Sequence, residues 1–307
     1  MNSDKRLNKK IDQAALLEQL DQLTGSELNS FLLKLFQQRA QKTDPGEVLR
    51  QYDVNRFAAE TPLDPIAYKS FELEALELVK KAGFSPLILS PLTPLGTCSA
   101  VAKVDQKMVV SATRGTEVVS DLTNVMALKI ARAHKSVKKT DEVLNYAATH
   151  RLVRGQAFDE PGHTAHFGII GLASGGFDTG NYGFELDRLF QHVNYHNSLL
   201  AQMLPGRPIS TRFLLKEKDH PFNDLLRARV EADTYDYTIE FEQQEDANDY
   251  YKLVQFKTFV DHKGIAFNMA DGGPVDWTQR LLSNRKHRAF ISGQGLEILF
   301  KIKHGVI

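Results

Sequence analysis

Two histidine pairs in the 307-residue chain have the spacing of metal ligands. His192 and His196 stand four apart in a helix-patterned run, Phe184 to Met203, with Glu185 seven before His192 on the same face. Convergent lone pairs at that spacing could hold a metal ion, although a solvated helix face has the same signature. His163 and His166 flank a turn into a strand, with Asp159 and Glu160 as nearby acids. Two glycine-rich pieces invite a ligand instead. Asp271-Gly272-Gly273-Pro274-Val275-Asp276 follows a strand-like run, and Gly293-Gln294-Gly295-Leu296-Glu297 opens the last helical segment. Glycine ahead of a helix lets a ligand approach the backbone N–H groups, and it is equally common in plain turns. There is no phosphate-binding P-loop, no G-x-S-x-G and no H-E-x-x-H.

The elements that must position these groups fall into two textures. Leucines 16, 17, 20 and 23 repeat at three to four residues, and Thr24 stands three before Glu27, a capping-box spacing. Leu28, Phe31, Leu32, Leu35 and Phe36 continue the pattern up to the breaker cluster Thr43-Asp44-Pro45-Gly46. Residues 1 to about 62 therefore read as a helical N-terminal extension. Beyond it, Phe71 to Lys80 is an amphipathic helix ending at Gly83, and Phe84 to Pro91 is a short strand bounded by prolines. Strands are expected at 108–112, 166–173, 211–215, 235–241, 252–260 and 265–270, with helices at 122–133 and 184–203. Asp261-His262-Lys263-Gly264 joins the last two strands as a hairpin. Strands crowd the C-terminal half without a regular β-then-α rhythm. The expected class is α+β with an antiparallel sheet.

Composition narrows the function classes. Lys plus Arg and Asp plus Glu are both 38, and 42% of residues are hydrophobic. That excludes wholesale disorder and disfavours a dedicated nucleic-acid binder. One cysteine, Cys98, leaves no internal disulfide framework and no multi-cysteine metal site. No apolar run approaches the ~20 residues of a membrane span, and the N-terminus lacks a secretory leader. The expected setting is cytoplasmic.

The order of the motifs carries a resemblance. Phe71 to Pro91 looks like motif 1, the helix, strand and proline of the class II dimer interface. Val118-Val119-Ser120-Asp121-Leu122-Thr123 looks like an L-R-P-D/E-x-T segment, with Asp121 and Thr123 matching and Val119 at the arginine position. His150-Arg151-Leu152 through Phe158, then Gly162 through Gly171 with Phe167, looks like motif 2. Its arginine position reads Asp159, while a shifted register would place Arg154 there. Asp246-Ala247-Asn248-Asp249-Tyr250-Tyr251 looks like R-G-L-D-Y-Y with an acid at the arginine. Gly272-Gly273-Pro274-Val275-Asp276 looks like G-G-R-Y-D, and Gly293-Gln294-Gly295-Leu296-Glu297-Ile298 looks like motif 3, G-x-G-x-E-R, with Ile298 for arginine. Together these resemble a class II aminoacyl-tRNA synthetase core. The nearest branch is the histidyl-tRNA synthetase family with the ATP phosphoribosyltransferase regulatory subunit.

The resemblance implies a core over residues 63–307 without an anticodon-binding domain, an antiparallel sheet flanked by helices, and a homodimer through the motif 1-like segment. It also implies a pocket for which Asp121, Thr123, Arg151, Tyr250, Tyr251, Gly272, Gly273, Gly293, Gly295 and Glu297 are the candidates. The lost arginines bear on phosphate chemistry, since a guanidinium donates paired hydrogen bonds to phosphate oxygens. An acid in its place at ~4 Å repels each phosphate charge by about 4 kcal/mol at an effective dielectric near 20. The implied function is a non-catalytic paralogue, a small-molecule-binding or regulatory subunit with an amino-acid ligand or a partner enzyme. It needs no cofactor or metal, and neither tRNA nor membrane contact is expected. The alternative is an enzyme of altered chemistry that adenylates a carboxylate other than histidine. Only that alternative requires ATP or magnesium, with cations from Arg114, Arg151 or Arg154.

Overall fold

The computed structural model describes residues 7–156, 164–244 and 249–307. The expectations placed on Asp159, Glu160, His163 and Asp246 lie outside these described residues. Three helices come first: α1 (Gln13–Asp21), α2 (Gly25–Ala40) and α3 (Pro45–Val54). Each starts at a side chain that accepts a free N–H of the first turn: Asp12, Thr24 and Asp44. At Thr24 the capping box with Glu27 is closed in both directions. None of the three helices buries a residue.

The core begins with α4 (Pro65–Lys81), capped by Asp64 with proline at its first position. Tyr68, Phe71, Ala75 and Val79 form its buried stripe, and Gly83 at φ +82° turns the chain out of it. There follow β1 (Ser85–Pro86), β2 (Leu92–Pro94), β3 (Ser111–Ala112), β4 (Thr116–Val118) and α5 (Leu122–His134). The long hairpin β5 (Leu144–Val153) and β6 (His166–Phe177) leads into α6 (Gly183–Met203). Then come β7 (Ile209–Leu215), α7 (Pro221–Glu231), β8 (Thr238–Gln243), β9 (Val254–His262), β10 (Ile265–Val275), α8 (Trp277–Leu282), β11 (His287–Gly295) and α9 (Leu296–Lys303).

Eight strands form one sheet in the order β1-β5-β6-β11-β10-β9-β7-β8, and β2-β4-β3 form a small second sheet. In the large sheet only the edge strands β1 and β8 run parallel to their neighbours. Strand alternation divides the side chains between two faces. Ile170 and Leu172 pack with α4, α6 and α9 through Phe71, Tyr195, Leu199 and Leu299. Ala173 and Ile291 pack on the other face with Met126 and Ile130 of α5 and Trp277 of α8. The fold is α+β, with a mostly antiparallel sheet flanked by helices.

Several local expectations change. The run 108–112 is a short 3-10 turn over Gln106–Met108 followed by a two-residue strand. Of Phe84 to Pro91 only Ser85–Pro86 is strand. Asp271 to Val275 lies inside β10 rather than after a strand, and Gly293 to Gly295 ends β11, with Gly295 as the cap of α9. The strands β5 and β11 and the helices α7 and α8 have no counterpart in the sequence reading as elements. β5 carries Asn145, His150 and Arg151 in a run too polar to read as a strand.

Candidate functional site

The sheet face under α5 opens into two joined cavities. The first, about 350 Å³, is lined by Asp121, Thr123, Tyr250, Tyr251 and Gly293 among others. They arrive from three parts of the chain: the start of α5, the segment before β9 and strand β11. Asp121 is the N-cap of α5, its Oδ1 accepting from the backbone N (2.8 Å) and Oγ1 (2.7 Å) of Thr123. Its Oδ2 accepts the phenol of Tyr250 at 2.9 Å. Tyr250 and Tyr251 meet edge to face with ring centroids 4.8 Å apart, and Tyr250 also meets Trp277 edge-on. Burial and the facing carboxylates hold both phenols well above their ordinary range.

A second carboxylate completes this cavity, one that sequence reasoning passed over. Asp271 stands opposite Gly293 in the β10–β11 ladder, and its Oδ2 accepts from Gln255 Nε2 at 3.2 Å. The Tyr251 phenol also bonds it. Burial, reinforced by the charge of Asp121, pushes its carboxyl up to about 6. The available signal was its place at the head of Asp-Gly-Gly, but only the ladder register shows that it faces the same space as Asp121.

The second cavity, about 310 Å³, adjoins the first at Arg154, Ile169, Asp271 and Gly293, and reaches Gly295, Glu297 and Ile298. Arg154 lies at the junction, its guanidinium 5.3 Å from the centroid of Phe167 and its Nε 3.3 Å from the Ser120 carbonyl. Of the two motif 2 registers, the described residues thus bring Arg154 into the cleft. Ile298, at the motif 3 arginine position, does line the second cavity. Val119 does not reach either one and is buried in the core under α5.

Four of the candidates do other work. Glu297 is 2% exposed and held between Arg151 Nη2 (2.9 Å) and Lys301 Nζ (2.8 Å), with the Gly168 N–H donating to it at 3.2 Å. Arg151 faces away from the first two cavities and also bonds Thr61 and His166. Gly272 and Gly273 are spaces for packing, not for a ligand. A Cβ on Gly272 would stand 2.5 Å from the Ile291 carbonyl oxygen, and one on Gly273 2.5 Å from that of Val254 and 2.9 Å from the Tyr251 ring. Gly293, by contrast, opens toward Ile169 along the cavity wall.

The histidine pair on α6 is neither a metal site nor a solvated face. His192 and His196 are fully buried and bonded to Ser174, Ser292 and Gln294 at 2.7 to 2.9 Å. Glu185 pairs with Arg288 instead. His166 bonds the Ala59 carbonyl and Arg151. Among the described residues no group of three histidine, cysteine or carboxylate side chains could hold a metal ion.

A magnesium–nucleotide complex fits the second cavity poorly. Its two carboxylates, Glu297 and Asp271, are already engaged by Arg151, Lys301 and Gln255. Arg154 and Lys301 are the cations on its wall, and Lys301 is the one that holds Glu297.

No family model matches the sequence, and no curated protein is similar to it in sequence. Solved structures are similar in fold. Apo histidyl-tRNA synthetase of S. aureus superposes with a TM-score of 0.59 at 11% identity, covering 82% of this chain and 70% of that one. A histidine–tRNA ligase subunit from Alicyclobacillus acidocaldarius gives 0.59 at 12%, covering 81% and 96%. A structure described as the RNA binding domain of threonyl-tRNA synthetase from Cryptosporidium parvum gives 0.60 at 8%, covering 78% of this chain and 64% of that one. These likenesses establish the fold alone: the core folds like that of a class II synthetase.

Proposed function

We propose that this protein is a small-molecule-binding subunit built on a synthetase-like core, and that it does not charge tRNA. One observation carries the reading. The first cavity keeps Asp121, Thr123, Tyr250 and Tyr251 together, while the adjoining one presents Ile298 at an expected arginine position and a Glu297 already paired with Arg151 and Lys301. A site that holds amino-group chemistry but has lost its phosphate clamps favours binding over adenylation. The ligand class that suits Asp121 and Thr123 is an amino acid or a related amine. A homodimer through α4 and the following segment agrees with the exposure of Ile66, Leu73 and Ile88 there. A regulatory role beside a partner enzyme, in the manner of an ATP phosphoribosyltransferase regulatory subunit, belongs to the same reading. No helix among the described residues is long and apolar enough to cross a membrane.

The purified chain should give no amino-acid-dependent ATP–pyrophosphate exchange with any of the standard amino acids. Robust exchange would overturn the proposal in favour of an adenylating enzyme. Arg154 is the observation on that side, because it is a cation at the junction of the two cavities.

A further inference from the structure

The charge of the first cavity says more about its ligand than its size does. Its charged walls are Asp121, Asp271 and Arg154. Arg154 and Asp271 stand at the junction with the second cavity, while Asp121 lines only the first. Each already accepts a phenol, Asp121 that of Tyr250 and Asp271 that of Tyr251. Each therefore has an acceptor site filled by a neutral donor, and neither forms a direct ion pair with a described residue. The two repel each other, and Lys257 and Arg154 offset that repulsion only in part.

The Ser120 hydroxyl, 7% exposed and lining the same cavity, has the Cys98 thiol as a side-chain partner and no oxygen or nitrogen one. A thiol is a weak hydrogen-bond partner, and a ligand that supplies an oxygen or nitrogen there improves on it. Cavity, carboxylate pair and a weakly partnered hydroxyl converge on one space.

A ligand with a single ammonium could satisfy one carboxylate and leave the other buried beside apolar walls such as Leu122, Leu152 and Ile169. We propose that the cavity takes a small organic molecule with two cationic nitrogen centres, one received by Asp121 and the other by Asp271. Asp271 is then the residue that sets specificity. This rests on the small-molecule reading above and adds the charge of the ligand to it.

The test is titration calorimetry on the full chain with putrescine, L-lysine and L-leucine as probes. At least one of the two diamines, putrescine or L-lysine, should bind about tenfold or more tighter than L-leucine, and Asp271→Asn should abolish that preference. Asp121→Asn, which keeps an asparagine cap on α5, should do the same and serves as the second variant if Asp271→Asn does not fold. L-leucine binding as tightly as both diamines, or a preference that survives both substitutions, would overturn the inference of two cationic centres and leave the small-molecule reading intact. Binding by none of the three would overturn the inference, and the small-molecule reading with it if a full amino-acid panel is also silent.

Discussion

His196 offers a sharp prediction about stability, because its proton count follows from a single chain of hydrogen bonds. The Ser174 hydroxyl donates to Asn145 Oδ1 at 2.6 Å, so it must accept from His192 Nε2 at 2.9 Å. His192 Nδ1 is then an acceptor for the Ser292 hydroxyl at 2.8 Å, and Ser292 in turn accepts from His196 Nε2 at 2.8 Å. A neutral His196 has only a lone pair left at Nδ1. The Gln294 amide must therefore turn its nitrogen toward that lone pair, which also gives the otherwise unpartnered Gln294 Nε2 its acceptor. Burial opposes any charge on the ring and lowers the folded-state pKa to about 4. Unfolding releases the ring to an ordinary pKa of about 6.5, so the unfolded chain binds a proton there that the folded chain does not.

The sign follows directly. Stability from this group is fully present above pH ~6.5 and is lost as pH falls toward the folded pKa. Near pH ~5.5 His196 contributes close to one proton of uptake, a slope of about 1 kcal/mol per pH unit. Between pH ~7.5 and ~4.5 its share of the loss is about 2–3 kcal/mol. Asp271, with a raised carboxyl, acts in the opposite direction, but it is common to parent and variant and drops out of their difference. The assay is urea unfolding across that pH range for the parent and His196→Gln. The variant should show a shallower dependence by about one proton, whatever its absolute stability at neutral pH. Identical slopes would mean that His196 is charged in the fold, and would refute the proton ordering.

Two further substitutions test the packing around the site. Gly273→Ala places a Cβ against the immobile Val254 carbonyl and the Tyr251 ring, and should cost about 2 kcal/mol or more in urea unfolding; an unchanged midpoint would show that the strand can shift. Glu297→Gln leaves the buried Lys301 ammonium without its carboxylate, and a loss of about 3 kcal/mol is expected by the same measurement. Arg151→Met should lose less, about 1 kcal/mol or below, since the guanidinium is partly exposed; equal losses would count against Lys301 as the partner that matters.

Much of the site was legible because local rules govern its parts. Asp121 caps a helix start by accepting from Thr123, and a cap is a matter of adjacent residues. The motif order carried the fold class, and the superposed structures agree with it at identities too low for sequence comparison to detect. The N-terminal helices announced themselves through their capping residues and apolar repeat. The roles of individual candidates were less accessible. Glu297 and Arg151 are far apart in the sequence, and nothing local reveals that they neutralise one another. Gly272 and Gly273 looked like ligand glycines because a glycine signals absent side-chain volume without saying what fills it.

By itself, then, the sequence determined which segments cap, repeat and alternate, since those depend on neighbours along the chain. The tertiary structure decided which side of the sheet each residue serves. Shifting a ladder by one residue moves every side chain to the opposite face, so register puts Asp271 opposite Gly293 on the cavity wall and turns Arg151 away, while the packing of α5 brings Asp121 to the same space. The same long-range pairing buries His192 and His196 among serines, where burial and hydrogen bonding replace the metal chemistry that their spacing allowed.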